Sequence, residues 1–246
     1  MNSSRIDVSD PPRARKFFMS LRDISLWVRS ARTDARLSRL RREHGAERAL
    51  DLLYEQLVDP WACTAPHFRY QRLKYDTLLS LIPPRPYRSA LDLGCGLGVL
   101  TRDLASRADK VLGLDLSRLA VEQARELSQS FPNVSFEQAD VLAIDPSLDD
   151  RFDLVVFADT LYYISPLPDE LLKRICRRVA ALLVPGGVLL LAHHYFCDLD
   201  PGSRLSRAIH DAFRWAPELE LIREYRKPFY LAGVMQAPTR ELRPGC

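Results

Sequence analysis

The stretch Ala90-Leu91-Asp92-Leu93-Gly94-Cys95-Gly96-Leu97-Gly98-Val99-Leu100 constrains the fold of this chain more than any other segment. Leu91 and Leu93 have strand character, three glycines follow at alternate positions, and Val99 opens a helical run. Strand, glycine turn and helix in that order predict a βα unit. Gly94, Gly96 and Gly98 let the backbone take positive φ and approach a ligand with no Cβ in the way. An acidic residue, Asp115, closes the next apolar run, Val111-Leu112-Gly113-Leu114, 21 positions after Gly94. That position suits a carboxylate that accepts from both hydroxyls of an adenosine ribose.

The glycine spacing narrows the choice of nucleoside. A dinucleotide fingerprint, G-x-G-x-x-G, needs a third glycine at 99 or 101, depending on register. Those positions hold Val99 and Thr101, so both registers fail. The pattern is instead D-x-G-x-G-x-G, with Asp92 two residues before the first glycine. A carboxylate there repels a pyrophosphate and attracts an ammonium. S-adenosylmethionine carries an ammonium, an adenosine and no phosphate, and is the expected cofactor. A dinucleotide site and an ordinary tight turn are the rival readings.

The 246 residues allow one large α/β domain with additions. Residues 1–48 hold twelve Lys and Arg against six Asp and Glu, so the positive charge gathers at the N-terminus and the remainder is net negative by three. The five cysteines, Cys63, Cys95, Cys176, Cys197 and Cys246, are widely spaced without a C-x-x-C, which fits reduced thiols and gives no zinc pattern. No metal is expected. With no run of 18 apolar residues and no apolar leader over residues 1–16, the expected compartment is the cytoplasm, away from the membrane.

Residues 1–12 are expected to be disordered. Two or three helices are expected over 14–57, one face carrying Phe17, Leu21, Ile24 and Val28 and a later one Ala46, Leu50, Leu53 and Leu57. The Arg-rich faces opposite read as solvated surface. A helix over 68–82 ends at Pro83-Pro84. Strands near 89–93, 110–114, 133–137, 153–158 and 187–192 then alternate with helices near 99–107, 117–129 and 168–183, which predicts a parallel sheet wrapped by helices. Pro185-Gly186-Gly187 reads as a tight turn into the fifth strand. Two further strands over 219–223 and 229–235 are too close together for a crossover and are expected to pair antiparallel. The expected fold is thus α/β: a Rossmann-like seven-stranded, mostly parallel sheet with an antiparallel C-terminal pair and an N-terminal helical extension. The expected boundary separates the extension, 1–57, from the sheet domain, 58–246.

This arrangement resembles the class I S-adenosylmethionine-dependent methyltransferases. The resemblance rests on the glycine loop, Asp115, Ala139-Asp140-Val141 after the third strand, Phe152 to Val156 in the fourth, and Leu183 to Gly187 before the fifth. A narrower similarity, to the nodulation protein S family, rests on Leu53-Tyr54, Asp59-Pro60-Trp61, the run Tyr70 to Tyr75, and Asp159 to Ile164. Gln71 departs from that family's pattern, where an acidic residue is expected. The resemblance implies that the Gly94-Cys95-Gly96-Leu97-Gly98 backbone passes under the methionine part and that Asp92 reaches its ammonium. It implies that Asp115 binds the ribose, Leu116 lies against the adenine, and Asp140 with the Val141 amide meets the adenine amino group. Trp61, Tyr70 and Lys74 would form a lid, with Tyr70 or Lys74 near the cofactor carboxylate. Asp140 as a turn residue, Asp115 as a helix cap and the lid residues as plain packing are the structural alternatives.

The acceptor side is expected beyond the carboxyl ends of the fourth and fifth strands. Asp159, Tyr162 and Tyr163 follow the fourth, and His193, His194 and Tyr195 the fifth. Side chains alternate along a strand, so one of the two histidines should face the pocket and serve as proton acceptor. The resemblance implies N-methylation of a small-molecule acceptor, an amino sugar or another natural-product amine. O-methylation of a phenol or sugar hydroxyl, and a non-catalytic S-adenosylmethionine-binding regulator or assembly partner, are the alternatives. The place held by D/N-P-P-Y in amino-methylating DNA enzymes is Asp159-Thr160-Leu161-Tyr162 here, so nucleic acid is a disfavoured partner. The chain is expected as a monomer or homodimer.

Overall fold

A strand between two helical layers must be apolar on both faces, and the central strand of this chain is. In β4 (Phe152–Ala158), Leu154, Val155, Val156 and Phe157 are all at most 1% exposed. The structure, a computed structural model, describes residues 21–65, 68–164, 166–197, 199–227 and 229–239. The expectations for residues 1–12, Phe17 and Cys246 lie outside these. Around β4 stand β1 (Tyr87–Leu93), β2 (Ala108–Asp115), β3 (Val134–Gln138), β5 (Leu183–Tyr195), β6 (Glu220–Lys227) and β7 (Phe229–Gln236). They form one sheet in the order β3-β2-β1-β4-β5-β7-β6. The first five strands run parallel. Strand β7 inserts antiparallel between β5 and β6, as the short 219–235 segment requires.

Helices α4 (Val99–Leu104), α5 (Arg118–Leu127) and α6 (Asp169–Ala181) fall where the alternation of patterns puts them. Helix α3 (Arg69–Leu81) precedes the sheet. The fifth strand differs from expectation. It begins at Leu183, and Pro185-Gly186-Gly187 is a bulge inside it, where the register against β4 shifts between Phe152–Leu183 and Leu154–Val188. Helix α7 (Pro201–Arg214) is an addition that the pattern reading left out. Its signals are local: Asp200 caps it by accepting from the Ser203 amide at 2.7 Å, and Pro201 stands in the first turn. Ile209 and Phe213 from α7 pack with Leu189 and Leu191 of β5.

The extension consists of α1 (Leu21–His44) and α2 (Ala46–Gln56), parted at Gly45, whose φ is 81°. The buried face of α1 carries Leu26, Thr33, Leu37 and Leu40, whereas Val28, expected on it, is 47% exposed. Leu37 and Leu40 pack on Ala49 and Leu53 of α2. Helix α2 in turn joins the sheet layers. Asp51 accepts from the Ser117 hydroxyl at 2.7 Å, and Tyr54 packs with Leu97 and Ala120. No helix among the described residues is long and apolar enough to cross a membrane.

The glycine loop generates a stability prediction. Gly98 stands at φ 69°, ψ 24°, and a Cβ there would lie 2.6 Å from the Phe136 ring. Left-handed strain and overpacking together should make Gly98→Ala cost about 2–4 kcal/mol. Urea unfolding measures this, and a loss under about 0.5 kcal/mol would contradict the assignment.

Candidate functional site

The sheet order reverses between β1 and β4, because the chain leaves β1 toward β2 and leaves β4 toward β5. Connections that depart in opposite directions open a crevice at the carboxyl ends of the two strands. A cavity of about 590 Å³ occupies that position, roofed by α1, α2 and α3. One wall is the glycine loop. Gly94, Gly96 and Gly98 have φ of 72°, 50° and 69°. A Cβ on Gly94 would meet the Thr160 side chain at 2.2 Å, so the loop is pressed against the segment that follows β4. Gly94, Cys95 and Gly96 line the cavity. Gly98 is not one of the lining residues and starts α4 instead.

A buried carboxylate, Asp92, and a half-buried one, Asp115, flank this loop. Asp92, 3% exposed, accepts from the Thr101 hydroxyl at 2.7 Å. Burial pushes its pKa up to about 7, against the opposing pull of that hydrogen bond. Asp115 accepts from the Gly96 amide at 2.8 Å and from the Ser117 amide at 2.9 Å. Its pKa is also raised by burial, with those amides opposing. The loop therefore orients Asp115 toward the cavity. Leu116, Asp140 and Val141 line the far end. Asp140 also caps the short 3-10 turn Val141–Ala143, accepting from the Leu142 amide at 2.8 Å, so the turn reading and the lining position hold together.

The opposite end gathers the residues after β4 and β5. Asp159 sits at φ 53°, a left-handed conformation that costs a non-glycine residue on the order of 1–3 kcal/mol. The Lys74 ammonium donates to its Oδ2, while Oδ1 is buried without a partner. Lys74, only 5% exposed, thus pairs with Asp159, a contact the lid reading did not include. The Tyr70 hydroxyl donates to the Phe229 carbonyl at 3.3 Å, and Trp61 Nε1 donates to Asp34 at 3.0 Å. Trp61, Tyr70 and Lys74 all line the cavity, as do Asp159, Tyr162 and His194.

The two histidines separate by strand phase. His194 faces the cavity, its ring 5.2 Å from that of Trp27, and burial lowers its pKa. His193 is fully buried and is not a lining residue. Burial, with His210 and Lys74 adding to it, lowers its pKa to about 3. The expectation that His193 serves as proton acceptor is corrected accordingly: its alternation along β5 turns it away from the crevice.

Trp27 and Asp34 of α1 line the cavity although no motif pointed to them, and Tyr54 of α2, quoted only for the family similarity, lines it too. Asp34 accepts from Trp61 Nε1 and from the Tyr163 hydroxyl, each at 3.0 Å. Its pKa is raised by burial, those bonds opposing. The available signal was an acidic residue three positions before Leu37, beside a helix face that buries Leu26, Leu37 and Leu40. Among the described residues no group of three or more His, Cys, Asp or Glu side chains is placed to hold a metal ion.

The Asp92 environment sets a pH dependence. A carboxyl at about 7 in the fold and about 3.8 when unfolded binds more protons in the native state between those values. Stability should therefore fall as pH rises from about 4 to 7. Asp92→Asn removes that titration, so the variant should exceed the parent at pH 8 by on the order of a few kcal/mol and converge with it near pH 4. Urea unfolding across this range tests it, and parallel curves for the two proteins would refute it.

Part of this chain is similar to known methyltransferases. Residues 90–187 match a family model described as a methyltransferase domain. Trans-aconitate 2-methyltransferase of Deinococcus radiodurans is 42% identical over 114 residues, which are 46% of this chain and 40% of that protein. Nodulation protein S of Rhizobium tropici is 29% identical over 54% of this chain and 53% of its own length. The chain thus spans about half or less of the length of these relatives. The structure of N-methyltransferase NodS from Bradyrhizobium japonicum WM9, in complex with S-adenosyl-L-homocysteine, shares the fold with a TM-score of 0.64 at 19% identity, over 76% of this chain and 98% of that one. Residues 90–187 match a methyltransferase domain, and over about half of its length the chain resembles S-adenosylmethionine-dependent methyltransferases, nodulation protein S among them.

Proposed function

We propose that this chain is an S-adenosylmethionine-dependent N-methyltransferase whose acceptor is a small-molecule amine, an amino sugar or another natural-product amine. The observation that carries the reading is the presence of Asp159 and His194 together among the lining residues of one cavity. Asp159 offers a buried, unpartnered carboxylate oxygen, and His194 is an imidazole that burial keeps neutral. An amine brings N–H donors for the first and a proton for the second.

The cofactor end fits S-adenosylmethionine on two observations. Asp92 is a carboxylate that burial holds near neutrality, a state that a ligand ammonium would reverse. Asp115 is half-buried, aimed by two backbone amides, and each of its oxygens retains a lone pair for a ribose hydroxyl. Leu116 would lie beside the adenine, with Asp140 and the Val141 amide at its amino group. When bound, the cofactor supplies a methyl group on a sulfonium, which is released as a neutral thioether. The protein's part is to orient the acceptor and exclude water, effects worth about 7–11 kcal/mol when the geometry is right. The roof of α1, α2 and α3 supports that exclusion. His194 accepts the proton that an acceptor ammonium must lose before its nitrogen lone pair is free. Tyr162 contributes to the same wall.

Two results are expected. Asp115→Ala should weaken S-adenosylmethionine binding by about 1–3 kcal/mol, a factor of about 5–150, in calorimetry; an unchanged affinity would contradict the cofactor placement. Methyl-labelled S-adenosylmethionine, given with amino sugars, aromatic amines and phenols, should label nitrogen. In that assay His194→Gln should lower turnover by about 10²–10⁴-fold with cofactor affinity intact. Label on oxygen would move the acceptor to a hydroxyl compound. Binding with no transfer to any class would favour a non-catalytic role.

A further inference from the structure

We propose that helix α1 completes the acceptor site and that Asp34 is its counter-ion, selecting a cationic acceptor, an ammonium carried on an apolar or ring-bearing body. The proposal rests on the methyltransferase reading and adds the element and residue that choose the acceptor. Neither the segment matched by the family model, residues 90–187, nor the motifs of the glycine loop include α1.

The groups that donate to Asp34 carry no positive charge. Asp159 and Lys74 form an ion pair and cancel. His194 is neutral near pH 7, because burial lowers its pKa. Asp34 then remains. It receives hydrogen bonds from two neutral donors, Trp61 Nε1 and the Tyr163 hydroxyl. The Asp159 charge raises its pKa further, and a protonated His194 would lower it. Both hydrogen bonds end on Oδ1, so Oδ2 takes no part in them. A partly buried carboxylate whose hydrogen-bond donors are neutral attracts a cation more strongly than a surface carboxylate does.

The surroundings of Asp34 suit a cation with an apolar body. The Trp61 and Tyr163 rings lie 5.4 Å apart and Tyr162 and Tyr163 4.5 Å apart. On the other side of His194 the Trp27 ring packs at 5.2 Å from that of Tyr70. Aromatic faces attract ammonium groups and pack flat substituents. Trp27 Nε1 is buried without a partner, as is Asp159 Oδ1, so this end of the cavity offers one unused donor and one unused acceptor. A ligand with an ammonium and a nearby hydroxyl or ether oxygen could satisfy both. The two bonds that fix Asp34 also hold α1 against the segments at Trp61 and Tyr163, which makes the helix part of the site wall.

The test uses the full chain saturated with S-adenosyl-L-homocysteine and two matched pairs of probes, 2-phenylethylamine with 2-phenylethanol and glucosamine with glucose. Calorimetry on the parent should show the amine of at least one pair binding tenfold or more tighter than its hydroxyl counterpart. Asp34→Asn, which keeps the shape and the acceptor oxygen, should cut that preference to threefold or less with S-adenosyl-L-homocysteine affinity unchanged. Tyr163→Phe removes a hydrogen bond and leaves the charge, so the preference should survive in it; a merely structural role for Asp34 predicts that both variants behave alike. Absence of an amine preference in the parent, or its persistence in Asp34→Asn, would overturn the proposal. Failure of S-adenosyl-L-homocysteine to bind would instead overturn the methyltransferase reading, and the proposal with it.

Discussion

Carboxylates held out of water around one cavity are the constraint on which the structure turns. Asp92 and Asp115 flank the glycine loop, and Asp34 and Asp159 face each other's field at the far end. Each loses hydration on folding, and the raised pKa values of Asp34, Asp92 and Asp115 record that loss. The fold offsets it with local donors: Thr101 for Asp92, the Gly96 and Ser117 amides for Asp115, Trp61 and Tyr163 for Asp34. Only Asp159 has a full positive charge beside it, and even there one oxygen is left over. Such a cavity favours cationic ligands at both ends, which links the cofactor reading to the amine reading through one electrostatic cause.

Much of the cofactor end was legible because its determinants are local. Strand, glycines and helix occupy eleven consecutive residues, and Asp115, next after the last β1–β2 register pair, is tied to the glycine loop by the Gly96 amide. The acceptor end was less legible, because its parts come from segments far apart in sequence. Lys74 and Asp159 are 85 positions apart, and Asp34 and Tyr163 are 129 apart. An amphipathic pattern shows that α1 buries a face, and does not show against which crevice. The histidine pair was ambiguous for a different reason. Strand β5 is buried on both faces, so its residues from Val188 to His193 carry no polar alternation to reveal which side points to the crevice. The same lack of alternation hid the bulge at Pro185-Gly186-Gly187.

Conformational strain and unpaired polar atoms converge on the acceptor side. Asp159 combines a left-handed backbone with an unpartnered carboxylate oxygen, and Trp27 leaves an indole N–H unused. Each unpaired buried group costs on the order of 1–3 kcal/mol in the free protein. A ligand that supplies the missing donor and acceptor recovers that free energy on binding, whereas one lacking them does not, which is a physical basis for discrimination among acceptors of similar size.

The placement of charge also bears on the transfer itself. Moving a methyl group from a sulfonium to a neutral amine moves one unit of positive charge from the cofactor end toward the acceptor wall. Asp34 and Asp159 stand on that wall, Lys74 offsets one of them, and the other is uncompensated once the proton taken by His194 has passed to solvent. Their field is therefore more favourable to the charge distribution after transfer than before it, and catalysis depends on interactions that strengthen along the reaction coordinate. Transfer to a neutral alkoxide-forming hydroxyl would place negative charge at the same wall midway through the reaction, against the same carboxylates. On the proposed reading, the acidity of the acceptor end thus favours nitrogen over oxygen as the methylated atom, and the contribution of α1 to that acidity ties the N-terminal helix to the choice.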